Sequence, residues 1–240
     1  MKSNMKRFRL TFSLILFLSG ILCIPFSGCK KEDNTTINDT VHGTVTDIDG
    51  NVYKTILIGD QTWMAENLKV TRFNDGSAIP LILDSNEWNN LTTPGFCWYD
   101  NDSVVNKEEY GGLYNWYAVN TGKLAPIGWH VPSDQEWWTL FFFLGNVPVL
   151  GAKMKETGTE HWMSPNVGAT NSSGFTALPG GCRIINRQFD YLGQYGYWWA
   201  STEMTLSQGW SWGLVNDSEA SSWIGAYFKT GGFSIRCIQD

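Results

Sequence analysis

The stretch GWHVPSDQEWW, residues 128–138, contains the clearest helix start in the chain. Ser133 and Glu136 have the S-x-x-E spacing of a capping box, in which each residue satisfies a free backbone N–H group of the other. The apolar run 137–144 follows, and Gly145 is a suitable end for the helix. Because this run is apolar on nearly all sides, we predict a helix that is buried inside a domain.

A second, short helix is predicted upstream of this stretch. Leu113, Trp116 and Tyr117 recur with the i, i+3, i+4 spacing of one buried stripe. Earlier still, the pairs Asp49-Gly50 and Gly59-Asp60 separate runs of β-branched and aromatic residues. This pattern predicts short strands joined by tight turns.

The chain from Gly174 onward consists of short aromatic and β-branched runs separated by glycines. Such a pattern predicts a twisted antiparallel sheet with long loops. Trp210 and Trp212 alternate with Ser211, so we expect both tryptophans to point to one face and to belong to the core. Two helices against this sheet make an α+β domain.

The first 29 residues have the three-part pattern of a secretory signal. Four basic residues precede the apolar run 10–26, which is followed by small residues and Cys29. The sequence FSGC resembles the lipobox of bacterial lipoproteins, whose cysteine carries the lipid and becomes the N-terminus. We therefore predict a signal peptide over residues 1–28 and lipidation of Cys29. The alternative is an ordinary secreted protein in which Cys29 has no special role.

The polar segment 29–40 is predicted to be a lipidated tether. It lacks the pattern of a core, which is typical of disordered chain. Its residues 30–33, KKED, resemble the signal that sends lipoproteins to the cell surface in bacteroidete-type envelopes. We expect one domain over residues 41–240, held by this tether at the outer membrane and exposed at the cell surface.

Charge limits the classes of partner. The net charge is −6, and loss of the four basic residues of the leader makes it −10. Nucleic acid and anionic membrane surfaces are bound mainly through Lys and Arg, so this balance disfavours both as partners. We expect contact with the membrane through the lipid on Cys29.

Three cysteines remain beyond the lipidation site, namely Cys97, Cys182 and Cys237. In an exported protein one pair can be oxidised, and Cys97 with Cys237 is the candidate pair. The alternative is that all three are small buried hydrophobic residues. The spacing does not choose which two cysteines would pair, and the choice between a bridge and three free thiols also stays open.

No catalytic or metal-binding set is predicted. His42, His130 and His161 are far apart, and none belongs to an H-E-x-x-H or H-x-H arrangement. His130 could ligate a metal together with Asp134 or Glu136. Capping and the helix dipole already explain both acids, so we favour a hydrogen-bonded, structural His130.

Two fragments leave calcium open as an alternative to no cofactor. Ser164-Pro165-Asn166 and Val215-Asn216-Asp217 are each one residue short of the E-P-N and W-N-D motifs of calcium-dependent lectins. Calcium takes about six to eight oxygen ligands, which these fragments begin to supply but do not define. We predict a protein without a cofactor, with calcium-dependent sugar binding as a minority hypothesis.

The segments FDYLGQYGY and NDSEASSWIGAY near the C-terminus are favoured for ligand binding. They combine turn residues with aromatic and polar side chains, and loops on a rigid scaffold commonly carry recognition residues. Aromatic faces stack on sugars or peptides, while polar groups fix orientation. The candidate residues are Tyr191, Tyr195, Asn216, Asp217, Glu219, Trp223 and Tyr227. For each residue alone, a place in the core or as an ordinary surface residue is the alternative.

Several segments resemble one family in the same order along the chain. They are VTDIDGNVYKTILIGDQTWMAENL, FCWYDND, GGLYNWYAVNTGKLAPIGWHVPSDQEW, GFTALPGG, GYWWASTE and FSIRCIQD. The chain resembles the Fibrobacter succinogenes major paralogous domain across residues 41–240, a family found on exported bacterial lipoproteins. The order of W-x-V-P-x-x-x-E-W, W-x-S and F-S-I-R-C is also similar to formylglycine-generating-enzyme-like domains. That similarity implies a C-type lectin-like fold.

Together, the resemblance and the candidate residues predict a surface lipoprotein with a non-catalytic binding or adhesion module. Its expected partner is extracellular polysaccharide or a surface protein ligand. One alternative is a structural or protein-partner role in an envelope assembly, and another is an oxidative enzyme of the formylglycine-generating class. Cys237 lacks the paired cysteine of that class a few residues away, so we predict a protein that is not an enzyme.

Overall fold

The structure is a computed structural model that describes residues 41–145, 149–184 and 189–240. Within these ranges the side chains of residues 41–42 and 221–224 are not described. The predicted signal peptide and tether, with Cys29, lie outside the described residues. Among the described residues, no helix combines the length and apolar character needed to cross a membrane.

The described residues form twelve strands, most of them short. In chain order they are β1 (Val41–Thr46), β2 (Val52–Ile58), β3 (Gln61–Met64), β4 (Phe96–Cys97), β5 (Leu113–Tyr114), β6 (Trp129–His130), β7 (Gly180–Cys182), β8 (Asp190–Leu192), β9 (Tyr195–Thr205), β10 (Gln208–Val215), β11 (Ser221–Phe228) and β12 (Ile238–Gln239).

The same residues contain five short α-helices, which are α1 (Ser85–Asn89), α2 (Ser103–Tyr110), α3 (Trp116–Val119), α4 (Asp134–Leu144) and α5 (Leu150–Met154). A polar side chain caps each of the first four at its N-terminus, where backbone N–H groups are otherwise free. The capping residues are Asp84, Asp102, Asn115 and Ser133. The expectation of two helices was therefore too low.

The strands form two five-stranded sheets and one two-stranded sheet. The first five-stranded sheet has the order β1-β2-β3-β12-β6, and all its pairs are antiparallel. The predicted turns at Asp49-Gly50 and Gly59-Asp60 connect its first three strands. The second has the order β11-β10-β9-β7-β8, in which only β7 and β9 run parallel. The domain is thus α+β with mostly antiparallel sheets.

Helix α4 begins and ends where the sequence predicts. Ser133 and Glu136 form the capping box, and Gly145 caps the C-terminus. The prediction of burial on all sides was wrong, because Phe142 and Phe143 are 75% and 60% exposed. Trp137 and three other apolar side chains of the helix are buried, so one stripe faces the core and the other faces solvent.

The second predicted helix is shorter than expected. Leu113 belongs to β5, where it pairs with Cys97, and the helix proper begins only after the cap Asn115. Trp116 is buried while Tyr117 is half-buried. Leu113 and Trp116 are therefore both in the core, but Leu113 belongs to a strand and Trp116 belongs to a helix.

Aromatic side chains fill the core on both faces of the second sheet. Trp198 and Trp212 lie in the cluster beneath α4, with the half-buried Trp210 packed against it. Trp199 lies in the cluster on the other face, among residues of the first sheet and α3. The expected core position is confirmed for Trp212, and Trp210 lies at the edge of the same cluster. Ser211 is also buried, because the sheet is covered on both faces.

All three described cysteines are free and buried, so the candidate bridge between Cys97 and Cys237 is not formed. Cys97 packs in a small cluster around Trp88, whereas Cys182 and Cys237 pack in the largest cluster. Burial raises the pKa of Cys97 and of Cys182 to about 12, and it also raises the pKa of Cys237. In the structure the three cysteines therefore occupy the positions of small buried hydrophobic residues, which is the alternative to a disulfide bond.

Candidate functional site

An open cavity lined by aromatic rings lies against the second sheet. Its volume is about 170 Å³. The residues around it are Cys182, Ile184, Tyr191, Tyr197, Tyr227 and Phe233. All six side chains are buried or half-buried, and three of them carry a phenol. A concave aromatic surface with a few polar groups is typical of a site for small ligands.

The sheet makes room for this cavity along β10, the strand between β9 and β11. Residues opposite each other in antiparallel strands share a face. On β10, Gly213 pairs with Tyr197 of β9, and Gly209 pairs with Tyr227 of β11. The two tyrosines therefore stand on one face, beside positions of β10 that carry no side chain. Trp116 fills the space above Gly209, since a Cβ atom there would lie 2.3 Å from its ring.

The rings around the cavity contact one another in a continuous series. Phe233 lies at the centre, with its ring centroid 5.1 Å from that of Tyr197 and 5.0 Å from that of Tyr227. Tyr197 stacks on Tyr195 at 5.5 Å, and Tyr195 meets Tyr191 edge-on at 5.0 Å. Aromatic pairs at these separations stabilise one another by about 1 kcal/mol beyond their buried area. The cavity is therefore held in shape by its own lining.

Tyr191 has the left-handed backbone conformation that bulky residues rarely adopt, with φ of 66°. The backbone N–H of Tyr191 donates to the Asp190 side chain at 3.0 Å, and the Tyr191 carbonyl accepts a hydrogen bond from the N–H of Gln194 at 3.0 Å. Strained residues of this kind concentrate at ligand sites, where the surrounding structure holds them. Glycine or asparagine would adopt this backbone conformation more easily. With tyrosine at this position, a phenol lies at the cavity.

The ionisable groups of the described cavity lining are three phenols and one thiol. Among its described residues there is no carboxylate, imidazole or amine. Burial raises the pKa of Cys182 to about 12 and raises that of Tyr197, so both groups are protonated at neutral pH. The site can therefore stack on a ligand and exchange hydrogen bonds with it.

Three of the predicted residues meet at this site. Tyr191 and Tyr227 line the cavity, and Tyr195 stacks beside it. The backbone of Trp223 pairs with Gly213, but its side chain lies outside the described residues. The sequence interpretation missed Tyr197, Phe233, Ile184 and Cys182. Alternation along β9 was the available signal for Tyr197, since it shares a face with Tyr195.

The predicted polar residues lie at a different place, on the connection between β10 and β11. The Asn216 side chain donates to the carbonyls of Met163 and Ser164, at 3.2 and 3.3 Å. Glu219 covers Gly168 so closely that a Cβ atom on that glycine would lie 2.4 Å from the Glu219 side chain. Asn216 and Glu219, and Asp217 between them, thus belong to a loop junction and not to the aromatic cavity.

Residues 56–239 match the Fibrobacter succinogenes major domain, which covers most of the chain. The chain belongs to the Fibrobacter succinogenes major domain family. The resemblance predicted from the sequence is thereby confirmed. Searches of curated proteins and of solved structures found no match. The matched region contains the whole aromatic cavity and both five-stranded sheets except β1 and the start of β2.

His130 has a hydrogen-bonding role in this Fibrobacter succinogenes major domain. Its Nδ1 lies 2.6 Å from Asp240 Oδ1, and its Nε2 lies 2.8 Å from Glu136 Oε1. Glu136 also closes the capping box of α4 with Ser133. The histidine therefore connects the last strand to the start of the helix, as a structural residue. The described residues include no group of three or more His, Cys, Asp or Glu side chains placed to hold a metal ion.

A second, polar cleft of about 310 Å³ surrounds His161. The Nδ1 of His161 lies 2.7 Å from Glu156 Oε2, and its Nε2 lies 3.1 Å from Glu109 Oε2. Burial opposes protonation, but the two carboxylates outweigh it and raise the pKa of His161 above 6.5. The cleft also contains the ion pair of Lys69 with Glu108, at 2.6 Å.

We expect His161 to make the stability of the domain dependent on pH. A group whose pKa is higher in the folded state contributes stability that is complete below its unfolded pKa of about 6.5. That contribution is lost as the pH rises through the folded pKa. The difference in unfolding free energy between the wild type and His161→Gln should therefore be larger at pH 6 than at pH 9.

Urea unfolding of both proteins at the two pH values measures this difference. Groups that do not contact His161, including His130, are present in both proteins and cancel in the comparison. A difference that does not change with pH would show that His161 contributes through packing alone.

Proposed function

We propose that the chain is an outer-membrane lipoprotein, anchored through lipid on Cys29, whose domain is a non-catalytic binding or adhesion module at the cell surface. We also propose that this domain has a C-type lectin-like fold. The α+β architecture, with curled antiparallel sheets, short helices and long loops, supports that fold. One observation carries the function, namely the cavity between Tyr191, Tyr197 and Tyr227.

Extracellular polysaccharide is the proposed ligand class. A pyranose ring has apolar faces that stack on aromatic rings, and hydroxyl groups at its edge that bond to phenols. The cavity supplies both kinds of contact, and its described lining carries no charge that would require a charged sugar. We propose no cofactor and no nucleic-acid partner.

The rings should dominate this binding. Tyr227→Ala removes a cavity wall, and we expect it to weaken binding about tenfold, which corresponds to about 1.4 kcal/mol. Tyr117→Ala is the matched control, because Tyr117 is half-buried but does not line the cavity. Binding is measured with the full chain in detergent, first on a glycan array and then in pull-downs with cellulose and xylan.

The outcome separates the sugar proposal from its alternative. If no glycan binds while peptide or protein ligands do, the polysaccharide class is wrong. If a glycan binds equally well to the wild type and to Tyr227→Ala, the aromatic cavity is not the site.

A second candidate function is a protein-partner role in an envelope assembly. Phe142 and Phe143 favour it, because both are exposed on α4, where Trp138 stacks on Phe142 at 5.7 Å. Clustered exposed aromatic residues commonly mark protein interfaces. Co-purification of a stoichiometric envelope protein that is lost in the double variant Phe142→Ser, Phe143→Ser would support this role.

A further inference from the structure

Lys155 follows α5 directly and is fully buried, although it carries an ammonium group. Its Nζ donates three hydrogen bonds, all to backbone carbonyls. The acceptors are Val167 at 3.0 Å, Val215 at 3.0 Å and Ser218 at 2.9 Å. An ammonium has three N–H donors, so every donor is satisfied.

This ammonium lies where the two calcium-motif fragments of the sequence meet. Val167 donates its N–H to the carbonyl of Asn216 at 2.7 Å, and the Asn216 side chain reaches the carbonyl of Ser164. The fragments 164–166 and 215–217 are about 50 residues apart in sequence, yet they are neighbours in the fold. Lys155 connects the two fragments through the carbonyl of Val215, which belongs to the second fragment, and through those of Val167 and Ser218, which directly follow the two fragments.

The same junction supports the turn that carries the cavity tyrosines. Asn216 donates its N–H to the carbonyl of Gln194 at 3.0 Å, and Met163 donates to the carbonyl of Gly193 at 2.7 Å. Gln194 and Gly193 lie between Tyr191 and Tyr195. Displacement of the junction would therefore move the edge of the aromatic cavity.

A converging set of backbone carbonyls is a ligand set for a cation. Oxygen atoms of this kind coordinate calcium and similar hard ions, and they repel one another when no positive charge lies between them. Burial lowers the pKa of Lys155 to about 8, while the charges of Asp217 and Glu219 oppose this shift. The group is therefore charged at neutral pH and supplies the positive charge that the carbonyls need.

We propose that the Lys155 ammonium is a built-in cation that takes the place of a bound calcium ion at this junction. Lys155 is then a positioning residue for the aromatic cavity, and ligand binding there requires no calcium. The claim that ligand binding requires no calcium rests on the proposed function. The role of Lys155 as a cation does not rest on it, and this role is tested without a ligand.

The test is rescue of stability by an added cation. Lys155→Ala removes the equivalent of propylammonium, and we expect the Tm of the full chain to fall by about 10 °C. Propylammonium chloride should then restore about half of that loss by binding the carbonyl cage. Lys155→Met is the matched control, because its side chain fills the space and should leave the protein destabilised but not rescued. Sodium chloride at equal concentration corrects for ionic strength.

If Lys155→Ala does not fold, the Tm of the wild type provides an independent test. This Tm should be the same in calcium chloride and in a calcium chelator. A fall of Tm in the chelator would overturn the proposal, as would a Lys155→Met variant as stable as the wild type. Equal responses of the Ala and Met variants to propylammonium would also overturn it. If rescue succeeds but no glycan binds, the built-in cation stands and the sugar proposal fails.

Discussion

Replacement of Arg236 by methionine is expected to lower the free energy of unfolding by about 4 kcal/mol. Arg236 is fully buried, and its guanidinium joins three parts of the chain. It donates to Asn67 Oδ1 at 3.2 Å and to the carbonyls of Met64 at 3.1 Å, Phe175 at 2.6 Å and Thr176 at 3.3 Å. Its plane also covers the ring of Phe175, 4.3 Å from the centroid.

The loss is large because methionine fills the space but satisfies none of these acceptors. Each buried carbonyl left without a donor costs about 1 to 3 kcal/mol. Burial lowers the pKa of Arg236 to about 9, which leaves it charged at neutral pH, with Glu66 favouring the charged form. Arg236→Lys keeps the charge but not the planar fork, so it should fall between the wild type and Arg236→Met.

Urea unfolding followed by tryptophan fluorescence measures these changes. Arg72→Met is the matched control, since Arg72 is paired with Asp49 at the surface and its side chain is 47% exposed. We expect it to cost about 0.5 kcal/mol or less. Similar losses for Arg236→Met and Arg72→Met would contradict the role given to the buried guanidinium.

The second large effect is expected for Gly181→Ala, at about 3 kcal/mol. Gly181 has φ of 62°, and a Cβ atom would lie 2.6 Å from the carbonyl oxygen of Asp190 and 2.8 Å from the ring of Tyr99. The substitution therefore combines a conformational cost of about 1 kcal/mol with overpacking of about 1 to 3 kcal/mol. The neighbouring strand β8 carries Tyr191, so ligand binding should weaken as well.

Gly76→Ala separates the two costs. Gly76 also has a positive φ, of 86°, but no atom lies within 4 Å of the added Cβ position. It should lose only the conformational part, about 1 kcal/mol. Unfolding of both variants under the same conditions gives the difference, and equal losses would rule out the close contact at Gly181 as a cause.

Local features of the fold were predictable from adjacent residues. The turn at Asp49-Gly50 and the capping box of Ser133 with Glu136 depend on residues at most a few positions apart. Local sequence alone was therefore sufficient to predict both features. Leu113 shows the limit of this reasoning. Its helical spacing is real, but pairing of β5 with β4 extends the backbone there.

The binding site was predictable only in part for a related reason. Tyr191 and Tyr227 were found from their polar and aromatic neighbours in sequence. Phe233, at the centre of the cavity, reaches it from a segment that pairs with Tyr114, and no local pattern reports that contact. Asn216 is a residue type that is common in ligand sites, but its side chain donates to the carbonyl of Met163, which is 53 residues away in the sequence.

The position of β12 has a consequence for when the domain can fold during its synthesis. Ile238 pairs with both Trp63 and His130, so β12 lies between two strands that are synthesised much earlier. Until it emerges from the ribosome, β3 and β6 have no common neighbour, and the first sheet cannot close. Contacts between residues so distant in sequence slow folding. We therefore expect the first sheet to close only after β12 has been synthesised, and ribosome-bound chains that end before residue 238 to remain sensitive to protease.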